Sequence, residues 1–391
     1  MSVIGIVCEF NPFHNGHKYL IDAVKGENDI VVAVMSGNFV QRGEPAIFPK
    51  EIRTKAALYS GVDIVLELPF VYATSSAEYF AFNAVKILSD FGCNKIAFGT
   101  ENSDVSALEK AVDVITKDEF ENEVKKYYDE GMSFPSARQK AFDKYNVDFD
   151  MSTPNNILGI EYVKAIRKLN ANMEILTVSR KGAGYNDNCA IGDFASATYI
   201  RQLINNGNSF EKYVPDYLKE LYSDAISNGQ YCSNTKFALA SLSIMRSKLN
   251  EDLSEIANMG EGLDNRIKSA IKTNTQMSNL YEQIKTKRYT HTRVKRAVLS
   301  TVFNVTSTDV TITVPYCRVL GFKKNVSETM GKLAKNSKLP FVVVHSDFAK
   351  LSSNDAKRIY EFENKSTDFY NLVLHNPAVC STEMTFAPIK I

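Results

Sequence analysis

Residues 3–17 constrain the fold of this chain more than any other stretch. Their first part, Val3–Cys8, is a short apolar run that predicts a buried β-strand. The sequence Asn11-Pro12-Phe13 indicates a turn, and His14 then opens a pattern with helical spacing. A strand, a turn and a helix in this order direct backbone N–H groups and the positive end of the helix dipole to one point, where a phosphate can bind.

The first turn of this predicted helix carries two histidines. His14 and His17 are three residues apart and share one helix face, and Gly16 leaves room for a flat ring to approach the backbone. Such a pair could also bind a metal or lie unused on the surface, but the preceding strand and turn favour nucleotide binding. The segment resembles the HxGH signature of the adenylyl-transferring superfamily, which implies that both histidines stabilise a triphosphate under attack.

Further strands and helices alternate along the first half of the chain. Apolar runs at 30–35, 62–68, 95–98 and 174–178 predict strands separated by helical patterns. This alternation predicts an α/β fold with a Rossmann-like, doubly wound parallel sheet. We expect residues 1–208 to form a nucleotidyltransferase-like catalytic domain, with a charged helical insertion at about 106–150. Residues 209–391 are expected to form a mostly helical α+β domain.

Two of the loops that follow strands suggest ligand contacts. Ser36, Asn38, Gln41 and Arg42 follow the second strand and are candidates for holding a small anionic substrate. An ordinary connecting loop would explain them equally well. Gly99 ends the fourth strand, where we expect the strand order to switch and a nucleotide to approach bare backbone.

Three later segments add polar candidates. Asn155 and Asn156 follow a proline at a predicted helix start, and simple capping explains one of them better than both. Arg180 and Lys181 follow the strand at 174–178, where cations could meet a triphosphate or form a solvated basic loop. The sequence SATYIR at 196–201 resembles a second superfamily element, whose hydroxyl groups hold the departing phosphates. The resemblance assigns that role to its serine and threonine.

The densest basic run lies at 285–296 and contains one tyrosine. Cations interleaved with an aromatic ring and hydroxyl groups can follow an RNA backbone, although a solvated helix face is equally consistent with the pattern. The candidate RNA contacts in this run are Lys287, Arg288, Arg293, Lys295 and Arg296.

Composition narrows the class of protein. The 391 residues carry a net charge of +1, so any basic patch must be local. Six scattered cysteines fit neither a zinc site nor a disulfide framework, and we predict reduced thiols and no protein metal site. No apolar run is long enough to span a bilayer and no leader is evident, so we expect a cytoplasmic protein without a membrane partner.

Eight blocks together resemble the tRNA(Met) cytidine acetate ligase family: EFNPFHNGH, MSGNFVQRGEPA, DIVLELP, FGTE, PNNILGIEY, SRKGAGY, SATYIR and THTRVKRA. The resemblance implies that ATP and acetate form acetyl-adenylate. The acetyl group would then pass to the wobble cytidine of elongator tRNA-Met, giving N4-acetylcytidine. Mg²⁺ is expected to accompany ATP. One departure is Asn186, which stands where relatives often carry histidine.

The resemblance also implies that the domain at 209–391 binds tRNA through its basic run, and it implies roles for individual residues. Catalysis would involve His14, His17, Arg180, Ser196 and Thr198. ATP would contact Ile6, Val7, Cys8, Glu9, Phe10, Asn11, Pro12, Phe13, His14, Asn15, Gly16, His17, Lys18, Tyr19, Leu20, Gly99, Asn155 or Asn156, Arg180 and Lys181. Two other hypotheses remain: a nucleotidylyltransferase acting on a small phosphorylated substrate, and an RNA-binding protein whose nucleotide site is a relic.

Overall fold

The structure is a computed structural model, and it describes residues 1–101, 104–179, 190–260, 262–286 and 289–391. Five residues singled out in the sequence lie outside these ranges. They are Arg180, Lys181, Asn186, Lys287 and Arg288.

Within the described ranges, an eight-stranded sheet forms the centre of the molecule, with the order β11-β10-β5-β2-β1-β6-β7 and β12 paired to β10. The strands are β1 (Val3–Cys8), β2 (Ile30–Ser36), β3 (Phe39–Val40), β4 (Glu44–Pro45), β5 (Ile64–Leu68), β6 (Lys95–Thr100), β7 (Glu174–Ser179), β8 (Ala190–Ile191), β9 (Phe194–Ala195), β10 (Cys317–Phe322), β11 (Phe341–Val342) and β12 (Ile389–Lys390). Two short hairpins, β3–β4 and β8–β9, lie outside the sheet.

Helices make up most of the remaining regular structure. They are α1 (Asn15–Val24), α2 (Lys50–Tyr59), α3 (Phe70–Ala73), α4 (Ala77–Phe91), α5 (Val105–Ile115), α6 (Asp118–Asp129), α7 (Phe134–Phe142), α8 (Pro154–Lys168), α9 (Ala197–Asn205), α10 (Lys219–Ser227), α11 (Asn234–Ser247), α12 (Leu263–Thr273), α13 (Met277–Ile284), α14 (His291–Phe303), α15 (Ser307–Thr311), α16 (Ser327–Asn336), α17 (His345–Ala349), α18 (Asn354–Leu372) and α19 (Thr382–Thr385). Within the described ranges, no helix has the length and apolar character needed to cross a bilayer.

The sheet is wound in both directions from β1, which confirms the predicted fold class. β1 pairs in parallel with β2 on one side and with β6 on the other, so the strand order switches between β1 and β6. Gly99 lies in β6 at this switch, as the sequence predicted. Ligands bind beyond the carboxyl ends of strands at such a point in open α/β sheets.

Side-chain alternation along the buried strands separates two cores. In β2, Val32 and Val34 belong to the core covered by α4 and α8, whereas Val31, Ala33 and Met35 belong to the core covered by α1 and α2. This period of two is what a pleated strand with both faces covered requires.

Residues beyond 208 contribute to the same sheet. β10 pairs antiparallel with β5, and β11 and β12 both pair in parallel with β10. The apolar pieces near 316–322 and 339–344 are therefore sheet strands. The division of the chain at residue 208 stays a prediction, and strand pairing shows that the stretches on either side share one sheet.

Candidate functional site

A cavity of about 240 Å³ opens where the carboxyl ends of β1 and β6 meet the start of α1. Its lining brings together segments far apart in sequence: the β1–α1 turn, the β3–β4 turn, the end of β6, and the start of α9. The predicted site residues that line it are Ile6, Val7, Cys8, Glu9, Phe10, Asn11, His14, Gly16, His17, Tyr19, Leu20, Gln41, Arg42, Gly99, Asn155, Ser196 and Thr198.

The two histidines cap α1 and are held in defined orientations. Gly16 N–H donates to His14 Nδ1 at 3.0 Å, and His14 N–H donates to His17 Nδ1 at 3.3 Å. The rings stack with centroids 3.8 Å apart. Because each Nδ1 accepts a backbone hydrogen bond, a neutral ring carries its proton on Nε2, on the far side of the ring.

The turn before these histidines is conformationally unusual. Phe10 has φ +45°, a region that costs a bulky residue free energy and persists only where the surroundings enforce it. Its buried ring packs 4.8 Å from Phe13 and edge-on, 5.0 Å from His17, centroid to centroid. The turn therefore helps to position the His17 ring.

The structure gives a second reason for glycine at position 16, beside the room for a flat ring that we inferred from the sequence. A Cβ built on this residue would lie 2.9 Å from His14 Cε1. A side chain here would push the His14 ring out of its stacked position. Glycine is thus required by the neighbouring histidine, whether or not a nucleotide ring also approaches.

A second helix start faces the same cavity. Ser196 Oγ caps α9 by accepting a hydrogen bond from Tyr199 N–H at 3.1 Å. Neither α1 nor α9 has an acidic residue in its first turn, so both positive helix ends contribute to the field in the cavity. The two predicted motifs, separated by about 180 residues, are therefore parts of one site.

Two arginines converge on Thr198. Arg42 Nη1 lies 3.3 Å from Thr198 Oγ1, and Arg201 Nη2 lies 3.2 Å from the same oxygen. Arg201 also donates through Nη1 to the Asn11 carbonyl oxygen at 2.8 Å, which ties α9 to the β1–α1 turn. This arrangement places two cations at the wall of the cavity, where they suit an anionic ligand.

Glu9 lies beside these arginines. Its Oε1 accepts a hydrogen bond from Gln41 N–H at 2.8 Å. Burial raises the pKa of this carboxyl group, while the Gln41 amide and the nearby Arg42 and Arg201 act in the opposite direction. Glu9 therefore joins the β3–β4 turn to the end of β1.

A buried arginine fixes the edge of the sheet behind the cavity. Arg53 Nη1 donates to the carbonyl oxygens of Glu9 at 2.7 Å and Ser36 at 3.0 Å, and Nη2 donates to that of Gly37. Its Nε donates to the Phe48 carbonyl oxygen at 3.0 Å. These bonds satisfy the ends of β1 and β2, which would otherwise carry unpaired buried acceptors.

Several predicted residues lie outside the cavity lining. Asn38 is buried, donates to Thr367 Oγ1 at 3.1 Å and accepts from Lys50 N–H at 2.9 Å. Ser36 is also buried and lies against Arg53 through its carbonyl oxygen. Neither residue is among the described residues that line the cavity, and their assignment to a small anion stays a prediction.

Four residues of the predicted ATP-contacting block at 6–20 lie outside the cavity lining, and two of them form hydrogen bonds with distant parts of the chain. Phe13 accepts a hydrogen bond from the Tyr222 hydroxyl through its carbonyl oxygen, and Asn15 donates to the carbonyl oxygens of Asp193 and Lys212. Pro12 and Lys18 are the other two residues of the 6–20 block that do not line the cavity.

The structure separates the two asparagines that the sequence left open. Asn155 lines the cavity and donates to Glu101 Oε1 at 2.8 Å. Asn156 is buried, donates to the Asp150 carbonyl oxygen and does not reach the cavity. Asn155 is accordingly the better candidate for a ligand contact.

The candidate tRNA residues on α14 have partners within the chain. Lys295 pairs with Glu44, and Arg296 Nη1 lies 3.4 Å from the Gln41 carbonyl oxygen. Arg293 stacks its guanidinium 5.3 Å from the centroid of Tyr289. Their assignment to tRNA stays a prediction.

Sequence reasoning missed part of the lining. Arg201 follows Thr198 by one helical turn within SATYIR, so the spacing could have revealed it. The other missed residues are mainly apolar and come from separate elements, which leaves no local signal. They include Phe80, Phe98, Leu158, Tyr162, Val178 and Phe194.

Comparison with known proteins identifies the family. Residues 1–384 match the family described as HIGH Nucleotidyl Transferase. A protein of Acetivibrio thermocellus named tRNA(Met) cytidine acetate ligase is 38% identical over 97% of this chain and 96% of its own length. A protein of the same name from Caldicellulosiruptor saccharolyticus is 41% identical over 86% of each chain. The chain belongs to the tRNA(Met) cytidine acetate ligase family, within the HIGH nucleotidyl transferases.

Solved structures of this family have the same fold along the whole chain. Thermotoga maritima TmcAL in its apo form superposes with a TM-score of 0.91, at 30% identity and complete coverage of both chains. The same protein bound with alpha-thio ATP gives a TM-score of 0.90 at 31% identity, again with complete coverage.

Proposed function

We propose that this member of the family is an ATP-dependent acetate ligase that acts on tRNA. It forms acetyl-adenylate and transfers the acetyl group to the wobble cytidine of elongator tRNA-Met, giving N4-acetylcytidine. The observation that carries the proposal is the convergence of the histidine pair, the α9 helix start and two arginines on one cavity. The names of the relatives and the ATP analogue bound by Thermotoga maritima TmcAL support the same substrates.

In the first step, an acetate oxygen attacks the α-phosphorus of ATP. The new O–P bond forms as the bond to the bridging oxygen breaks, and pyrophosphate leaves with the electron pair. The Nε2–H groups of His14 and His17 donate to the departing phosphates, and the two helix ends stabilise the same charge. Acetate is itself the nucleophile, so no covalent enzyme intermediate is required.

Two anions must meet in this step, and cations must offset their repulsion. Arg42 and Arg201 lie on the cavity wall, and Gln41 lies in the same turn as Arg42. We assign Gln41 and Arg42 to the acetate side, and Ser196, Thr198 and Arg201 to the phosphates. Arg180 and Lys181 keep their expected role on the triphosphate, although they lie outside the described residues.

The apolar wall suits the nucleoside. Phe98, Leu158 and Tyr162 line the cavity beside Gly99. Aromatic and aliphatic side chains next to bare backbone provide a flat, apolar surface for an adenine ring. Asn155, at the cavity edge, can donate to the nucleotide once its bond to Glu101 is exchanged.

Mg²⁺ is expected to enter with ATP. Glu9 is the sole carboxylate among the described residues that line the cavity, and it already accepts a backbone hydrogen bond. The lining therefore fits an ion carried by the triphosphate and water better than an ion held by protein ligands. When bound, Mg²⁺ would neutralise phosphate charge.

In the second step, the cytidine N4 amine attacks the acetyl carbonyl carbon. The C–N bond forms, the bond between the carbonyl carbon and the phosphate oxygen breaks, AMP leaves with that electron pair, and the amine proton passes to water. The cytosine must reach the cavity for this attack, which requires that it leave its base stack. The basic segment at 285–296 is the candidate surface for the tRNA backbone.

Incubation of the protein with labelled acetate, ATP and tRNA tests the proposal. We expect label in N4-acetylcytidine, detected by mass analysis of the tRNA nucleosides, and none when ATP is omitted. Label that stays on acetate with intact tRNA-Met would contradict it. Release of pyrophosphate that requires a phosphorylated small molecule and ignores acetate would favour a nucleotidylyltransferase.

A further inference from the structure

The β3–β4 turn lies between the cavity and helix α14. On the cavity side, Gln41 N–H donates to Glu9 and Arg42 Nη1 contacts Thr198 Oγ1. On the other side, the same turn packs against α14, in the basic segment that sequence reasoning assigned to RNA. The turn therefore contacts both regions.

Three contacts dock the turn on one stretch of α14. Gly43 has φ +77°, and a Cβ on it would lie 2.6 Å from Arg296 N and 2.7 Å from the Lys295 carbonyl carbon. The two backbones therefore touch. The Lys295 ammonium pairs with the Glu44 carboxylate, and although burial raises the pKa of Glu44, Lys295 lowers it overall. Gln41 receives the third contact, from Arg296.

Arg296 is poorly placed to meet a polyanion from solvent. Its Nε is buried and has no hydrogen-bond partner among the described residues. Burial, together with the charge of Arg293, lowers the pKa of Arg296 to about 10. The guanidinium of this half-buried side chain is therefore directed at the turn, where Nη1 meets the Gln41 carbonyl oxygen.

We propose that Lys295 and Arg296 are positioning residues that hold the Gln41–Glu44 turn, and through it Arg42, at the cavity wall. This inference rests on the proposed function, because the readout is the reaction of acetate with ATP, in which Arg42 is assigned to hold acetate. It assigns these two basic residues to acetyl-adenylate formation, which takes place without tRNA. Arg293, further from the turn, keeps its predicted role on RNA.

The test measures acetate-dependent exchange of pyrophosphate into ATP, with no RNA present. Lys295→Met and Glu44→Gln remove the same ion pair from opposite sides. We expect each to raise the KM for acetate by about 10-fold, since small displacements of a positioning group have effects of this size or larger. The KM for acetate in the double variant should be little higher than in either single variant, because one substitution already breaks the pair.

Two further variants separate positioning from charge. Gly43→Ala forces the turn away from α14 without changing any charge and should also raise the KM for acetate. Arg296→Lys should retain more activity than Arg296→Met. Lys332→Met, which breaks the exposed Lys332–Glu328 pair on α16, is the matched control and should behave as the parent protein.

Deuterium uptake of peptides covering residues 39–46 gives a readout that does not depend on activity. We expect faster uptake there in Lys295→Met and Glu44→Gln, with unchanged melting temperatures. Unchanged uptake and exchange in both variants, together with weaker tRNA binding by Lys295→Met alone, would overturn the proposal. Absence of acetate-dependent exchange in the parent protein would instead contradict the proposed function, and the uptake experiment would still test the docking.

Discussion

The molecule contains two clusters of charged side chains that behave in opposite ways. The first, the buried charge cluster, consists of Lys50, Glu67, Arg318, Glu363 and Glu383, whose side chains are at most 3% exposed. The second consists of Arg42, Arg201 and Glu9 at the cavity wall. The charged groups of the first contact one another away from solvent, whereas those of the second line an open cavity.

The buried charge cluster joins five elements. Lys50 Nζ lies 2.6 Å from Glu67 and 3.3 Å from Glu363, and it also contacts Glu383. Arg318 Nη1 lies 2.8 Å from Glu67 and 2.5 Å from Glu383. Three carboxylates this close could suggest a metal site, but the Lys50 ammonium and the Arg318 guanidinium already contact them.

Three acids and two bases leave this cluster one positive charge short. Burial, with Glu67 next in importance, raises the pKa of Glu363 to about 8. Burial also acts to raise the pKa of Glu383, but Arg318 and Lys50 lower it to about 2. The cluster therefore retains a proton at neutral pH, whereas the arginines of the cavity wall line a volume that an anionic ligand can enter. Charged groups that pair in the interior hold elements of the fold together, whereas charged groups that line a cavity can bind a ligand.

The largest expected effect comes from removing a cation of the buried charge cluster. Lys50→Met should reduce the free energy of unfolding by about 3–5 kcal/mol, because buried carboxylates lose their main partner. Denaturant unfolding measures this change, with Lys332→Met as the exposed control. A loss below about 1 kcal/mol would mean that the cluster reorganises around the missing cation.

The next effect concerns the open site. His17→Ala should lower the rate of acetate-dependent pyrophosphate exchange about 10²–10³-fold, the size of effect seen when one donor to a developing charge is removed. Asp22→Ala, an exposed change on the same helix, provides the control. Near-normal exchange in His17→Ala would show that the histidine only caps α1.

A smaller effect is expected at the arginine pair. Arg201→Met removes a charged donor to Thr198 and to the Asn11 carbonyl oxygen, which should lower exchange about 10–100-fold. The exchange rate of Arg201→Lys should lie between that of the parent protein and that of Arg201→Met. If the melting temperature falls strongly while exchange per folded molecule is unchanged, Arg201 stabilises the fold, as the buried charge cluster does, and does not contribute to the reaction.

The smallest effect is a pH dependence of stability. The folded-state pKa of Glu363 is raised, so folding takes up a proton and the stability it supports falls as pH rises from about 4.5 towards 8. Glu363→Gln resembles the protonated side chain and should gain about 1–2 kcal/mol relative to the parent between pH 6 and 8. Denaturant unfolding at pH 6 and at pH 8 measures this gain, with Glu361→Gln as the exposed control on α18. A constant difference would show that Glu363 is ionised throughout.

Local pattern was enough to predict the strands, the alternation with helices and the histidine pair at the start of α1. These features depend on side-chain period and on capping, which act over a few residues. Motif resemblance extended this to the second element at 196–201, which the structure brings to the same cavity. The role of each residue in that cavity stays a prediction.

Tertiary structure alone decided the contacts between distant segments. Asn155 and Asn156 are adjacent in sequence, yet helix rotation places one in the cavity and buries the other. Ser36 and Asn38 were candidate ligand contacts from their loop alone, and the fold shows that Arg53 binds the Ser36 carbonyl oxygen and that Asn38 donates to Thr367. Lys295 and Arg296 were predicted to contact tRNA or to lie on a solvated helix face, and only the fold shows that helix α14 lies against the β3–β4 turn. The sequence determined the elements because their causes are local, whereas partners separated by hundreds of residues are chosen only when the chain has folded.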